Sequence, residues 1–155
     1  MSEIITIPIQ NLSRFSVELD LDYLYLFTDN LNRSSGHNYI DEYNEYCIIW
    51  AKGRQIYYPN SSQAVIRGLE NAYPISTMVN QYKKQFTDDM FELFKENLDE
   101  EINSIKKVLD YKYEGIKYVD NVFGIGTYSK MNVSAPKCFE YLHLKLKEIN
   151  IEQLR

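Results

Sequence analysis

A chain of 155 residues with an ordinary 45% apolar content fits one domain, 1–155, long enough to bury roughly 70% of the surface its unfolded form exposes. Its formal charge of −5 argues against a general binder of polymeric nucleic acid, which is usually basic, and leaves room for a local anion pocket. No leader, membrane span or lipidation motif is legible, so a soluble, cytoplasmic protein with no membrane partner is expected.

In chain order, residues 4–9 alternate loosely as a strand, and residues 15–21 read as another, with Val17, Leu19 and Leu21 inward. Residues 23–27 are all aromatic or leucine, which predicts a central strand buried on both faces. Residues 31–46 are polar loop, 47–51 a strand edge or packed loop, and 57–60 a turn. A helix is expected over 62–72, capped by Ser61 or Ser62 and ended by Tyr73-Pro74. The strongest helix runs over 87–109, with Thr87 as N-cap, Phe86 stapled to Phe91, and a stripe of Phe91, Phe94, Leu98, Ile102, Ile105 and Leu109. A strand over 116–119 and a glycine loop over 123–127 follow. The last helix is capped by Ser134, carries Pro136 in its first turn, and has the stripe Ala135, Phe139, Leu142, Leu146 and Ile149. The expected fold is α+β: a mostly antiparallel or mixed sheet flanked by helices.

Polar residues gather where the central strand ends. Thr28, Asp29 and Asn30 offer donors and acceptors, and Arg33 a planar five-donor cation. Gln63, Arg67 and Asn71 stand four apart, on one face of the expected helix. Tyr73, Ser76 and Thr77 extend that wall, and Gly124 and Gly126 suit a backbone approach to a ligand, although no helix opens directly after them. Arginine forks match phosphate oxygens and tyrosine faces match planar bases.

Conventional catalysis finds little support. Ser34 and Ser35 beside His37 lack triad logic, and Asp41, Glu42 and Glu45 have neither nucleophile nor metal ligand beside them. Asp99-Glu100-Glu101 reads as a solvated face. Cys47 and Cys138 read as reduced, buried hydrophobes, and with only His37 and His143 besides, no metal and no cofactor is expected. The 14 tyrosines are the compositional oddity, compatible with subunit interfaces, so a homo-oligomer is expected.

The segment 25–30 with Arg33 and Gly36, the segment 63–77, and the generic Phe123-Gly124, Gly126 and Ala135-Pro136-Lys137 together resemble the Thoeris anti-defence one family. That resemblance implies a phage counter-defence sponge. Such a protein sequesters a cyclic ADP-ribose isomer (glycocyclic ADP-ribose) made by bacterial TIR enzymes, without cleaving it, in the cytoplasm of the infected host. It also implies a dimer or trimer of dimers, with cyclic oligonucleotides as ligands of separate sites in some members. Asp29, Asn30, Arg33, Gln63, Arg67 and Asn71 fall on the motif-bearing positions; Tyr128 departs from the pattern. Two other classes stay open: an enzyme altering a nucleotide or ADP-ribose derivative with Asp29 or Asp41 as base, and an interaction protein whose tyrosines serve contacts alone.

Overall fold

The computed structural model describes residues 3–31, 48–51, 54–57, 63–79, 85–119, 125 and 130–152. Its strands are β1 (Glu3–Thr6), β2 (Tyr23–Asn30), β3 (Ile48–Ala51), β4 (Arg54–Tyr57), β5 (Ala72–Met78) and β6 (Gly115–Tyr118). Its α-helices are α1 (Arg14–Glu18), α2 (Phe91–Lys112), α3 (Met131–Ser134) and α4 (Pro136–Lys147).

Four strands form one sheet in the order β1-β6-β2-β5, and every neighbouring pair is parallel. The expected mostly antiparallel or mixed sheet is therefore corrected. Parallel strands of one sheet need long crossovers, and the chain supplies them: α1 lies between β1 and β2, and α2 between β5 and β6. The doubly buried run of β2 was itself the parallel signature. Antiparallel pairing among the described residues is confined to the separate β3–β4 hairpin.

Three further local readings change. Residues 14–18 are helical because Ser13 and Ser16 form a reciprocal cap: Ser13 Oγ accepts from the Ser16 N–H at 3.1 Å, and Ser16 Oγ accepts from the Ser13 N–H at 3.3 Å. That cap overrides the alternating pattern, burying Val17 and leaving Phe15 and Leu19 exposed. The helix expected over 62–72 is only a 3₁₀ turn, Gln63–Ile66, broken where Gly68 takes a φ of 93°, a conformation that glycine adopts without strain. Pro74 lies inside β5 instead of ending a helix.

The position of Pro74 follows from the ladder. Tyr25 N–H donates to Asn71 O, with Tyr25 opposite Ala72. In a parallel pair this register turns the amides of residues 73, 75 and 77 toward β2 and those of 72, 74 and 76 outward. β5 is an edge strand, so a proline at 74 removes no ladder bond. The Ala72 N–H goes to Leu69 O and the Ser76 N–H to Glu101 Oε1. No outward donor remains on this edge.

Helices cover the sheet unevenly. On one face α2 and α4 bury Phe94, Leu98, Ile102, Ile105, Leu109, Leu142 and Leu146 against Leu24, Leu26, Ile75 and Ile116. On the other, Val17 and Ile66 close over Tyr25 and Phe27. Both helical stripes follow the expected spacing, with Phe91 and Phe139 only half-buried. Their caps differ from expectation. The Thr87 hydroxyl donates to Asp89 rather than capping the backbone, and Phe86 packs edge-to-face on Phe94, centroids 5.0 Å apart. At α4, Ala135 occupies the N-cap position, and the Asp88 carboxylate accepts from the N–H groups of Lys137 at 3.1 Å and Cys138 at 3.3 Å. At the other sheet edge Gly115 lies opposite Glu3, and a Cβ there would stand 2.3 Å from Glu3 O.

Candidate site at the carboxyl ends of β2 and β5

The central strand outruns its neighbour. β6 stops at Tyr118, opposite Leu26, whereas β2 continues to Asn30. The Thr28 N–H, beyond the end of β6, is taken by the Gln63 carboxamide oxygen at 3.1 Å. On its other side β2 stays paired with β5 to the end, through a register shift at Asp29/Asn30. The chain passes from β2 outward to β5, then returns across β2 to β6. Open parallel sheets bind ligands beside such a reversal, at the carboxyl ends of the strands.

Six of the expected residues meet there, Gln63 and Arg67 among them. Asp29, Asn30, Ser76 and Thr77 are buried, between 1% and 6% exposed. Arg67, one residue beyond the 3₁₀ turn, grips Asp29 through two bonds: Nε to Oδ2 at 2.9 Å and a terminal nitrogen to Oδ1 at 2.5 Å. The Asn30 N–H adds a third bond to Oδ1 at 2.8 Å. Arg14 fixes this arrangement from α1, donating to the carbonyls of Val65 at 3.1 Å and Arg67 at 2.8 Å. Arg67 is thus an oriented partner of a buried carboxylate and shares no helix with Gln63 and Asn71.

Two expected residues lie elsewhere. Asn71 sits toward the amino end of the sheet, its amide donating to Val17 O, Asp20 O and Tyr23 O at 3.0, 3.2 and 3.2 Å; it closes the turn from α1 into β2. Tyr73, opposite Leu26, packs edge-to-face on Tyr113 at 6.4 Å, and burial pushes both phenols above their ordinary pKa. Arg33, Gly124 and Gly126 lie outside the described residues, as do Cys47 and His37.

Glu101 was hidden by its neighbours in the acidic run. It is 8% exposed, and its carboxylate accepts from the Ser76 N–H at 3.0 Å and the Ser76 hydroxyl at 2.7 Å. The steps 94, 98, 101, 105 place it on the buried seam of α2, a signal already present in the spacing. A second unheralded cluster lies at the amino end. Asp20 accepts from Lys117 at 2.6 Å and Tyr25 at 2.7 Å, while Lys117 stands 4.2 Å from the Tyr23 ring. Burial raises the Asp20 pKa, but these two donors outweigh it and hold the group below the usual range.

Cys138 is fully buried, and burial with the nearby Asp88 carboxylate pushes its thiol up to about 11, the opposite of an activated nucleophile. Among the described residues no group of three His, Cys, Asp or Glu side chains converges as metal ligands. No described helix is long and apolar enough to cross a membrane.

A family model described as a family of unknown function (DUF7831) matches residues 8–145. No curated protein and no solved structure matches.

Proposed function

The chain belongs to that family, which has no assigned activity, and we propose that it binds and sequesters a small nucleotide-type ligand at the carboxyl ends of β2 and β5. The observation that supports this most is the cluster of buried polar side chains, Asp29, Asn30, Ser76 and Thr77, where β2 runs on past the end of β6. Buried polar side chains at a strand-order reversal are a binding arrangement. Asp29 enters as the acceptor of ribose hydroxyls, the role carboxylates take at strand ends in nucleotide-binding sheets, and its side chain, 0% exposed and paired with Arg67, must be uncovered for that contact.

The ligand proposed is a cyclic ADP-ribose isomer such as glycocyclic ADP-ribose, retained without cleavage, with counter-defence in a bacterial cytoplasm as the role. Arg33, Gly124 and Gly126 enter this proposal on sequence alone, as phosphate-side donors. A homo-oligomer, dimer or hexamer, is part of the same reading, and so are cyclic oligonucleotides as second ligands.

Incubation with cyclic ADP-ribose isomers, gel filtration, heat release and chromatography tests it. Intact ligand recovered from the protein fraction is expected. Altered ligand would make the protein an enzyme, and no retained ligand would overturn the proposal.

A further inference from the structure

The two edges of the sheet are finished differently. On the β5 side every outward donor is absent, at Pro74, or taken, by Leu69 O and Glu101. On the β1 side the Glu3 and Ile7 amides turn inward to Glu114 O and Tyr118 O, so alternation turns the N–H and C=O groups of Ile4 and Thr6 outward. Those groups have no hydrogen-bond partner among the described residues. Edge strands are commonly guarded by a charge or a proline, and the charge that β1 carries is Glu3. That charge is drawn inward. Glu3, Gly115 and Tyr23 share one row of the sheet, and across the glycine the Glu3 carboxylate accepts from the Tyr23 hydroxyl at 2.8 Å. The open edge is left with Ile4 and Ile5, half-buried, and Thr6.

We infer that this edge docks a second copy of the chain, β1 against β1, antiparallel about a two-fold axis at Ile5. Pro8, the next residue of outward parity, has no N–H, so a register centred on Thr6 would set Ile4 against a missing donor. Centred on Ile5, Ile4 of each copy exchanges both backbone bonds with Thr6 of the other, and the two Ile5 side chains meet at the axis. On that same face Ile7 lies opposite the second copy's Glu3, whose carboxylate is already turned back to Tyr23. An unrelated strand would satisfy the backbone alone; the second copy also brings isoleucine to isoleucine. The sealed β5 edge decides between a pair and a filament. It offers β1 of another copy no donor, so the association closes at two. The inference supplies a surface for the homo-oligomer of the nucleotide proposal without resting on it: it uses none of Asp29, Asn30 or Arg67 and needs no ligand.

A strand pair this short makes a small interface, so sedimentation velocity of the full, ligand-free chain from about 1 to 500 µM tests it. A monomer–dimer equilibrium is expected, with exchange of the Ile4 and Thr6 amides slowing as dimer forms. Thr6→Pro removes an outward N–H that the β1–β6 ladder does not use, and the bonds lost in both copies should weaken association about tenfold or more. Thr6→Val keeps that N–H and should leave association unchanged. Ile5→Cys should cross-link two copies on mild oxidation, with the parent chain as control for Cys47, and decides the matter if the proline variant fails to fold. A monomer throughout would give the edge to some other strand or to none, and overturn the inference. A dimer indifferent to Thr6→Pro, no cross-link at residue 5, or mass growing beyond two copies would also overturn it. Nucleotide retained by a chain that stays monomeric would sink this inference and leave ligand binding standing.

Discussion

Ser76 and Glu101 are joined twice, backbone amide and hydroxyl to one carboxylate, at 3.0 and 2.7 Å. This contact seals the last outward donor of β5 and ties the strand to α2. Replacing Glu101 with Leu leaves a buried amide and hydroxyl without that partner, and should cost about 1–3 kcal/mol. Glu101→Gln, which keeps one acceptor, should cost less. Urea denaturation of the two variants side by side checks the ranking.

Asp29 and Arg67 behave as a unit. Had Arg67 stood on the polar side of a helix, its removal would have spared the fold. Because it pairs with an Asp29 side chain of 0% exposure, Arg67→Met should destabilise by about 3–5 kcal/mol, the cost of a buried charge left alone. Asp29→Asn in the same chain should recover part of that loss. A thermodynamic cycle showing simple additivity would contradict the pairing.

Gly115 marks a close approach of β6 to β1. Gly115→Ala forces a Cβ onto Glu3 O and should cost about 1–3 kcal/mol, as overpacking does. Hydrogen exchange should show the loss concentrated in residues 3–6, with α2 and α4 protected as before.

Asp88 caps a helix that begins 48 residues after it. Asp88→Ala should cost about 0.5–2 kcal/mol, and Asp88→Asn less, since the amide oxygen still accepts. Loss of helicity by circular dichroism localised to α4 in exchange measurements would check the cause.

Stability should narrow at both ends of the pH scale. The carboxyls of Asp20 and Asp99 are held low by hydrogen bonds that outweigh burial, and that of Glu148 by Lys145 and Lys106. Their contribution is complete above the unfolded values near 4 and is lost as pH falls through the lower folded ones. Tyr23, through its bond to Glu3, and Tyr141, through burial and its bond to Asp99, are pushed up to about 12. Their contribution is present below about pH 10 and is lost as pH rises toward 12. Melting temperatures across pH should fall on both limbs, and Asp20→Asn should flatten the acid one.

Much of the architecture was legible, and the failures share a cause. The apolar stripes of α2 and α4 and the double-sided burial of β2 follow from periodicity, which reports burial directly. Strand direction does not appear in a local pattern; it depends on what lies between strands, and β5 was hidden by a proline that only an edge position tolerates. The strand end at Asp29 and Asn30 was legible because polarity ending an apolar run marks one, whereas Ser76 and Thr77 were read as extending the wall of a helix that does not form. Glu101 and the Arg67 partnership were missed because both are long-range: Ser76 is 25 residues from Glu101, and Asp29 is 38 from Arg67.

The pairing of β1 with β6 gives the chain a direction in time. Glu3 is aligned with Gly115 and Thr6 with Tyr118, and among the described residues β1 has no other neighbour. β1 leaves a ribosome before the strand it pairs with and waits while more than a hundred residues emerge. β2 and β5 can join earlier, 47 residues apart at Tyr25 and Ala72. Growth of the sheet runs outward from its centre, and β1 closes it, so a nascent chain halted before residue 115 carries the Asp29 and Ser76 strand ends and leaves β1 without its β6 partner.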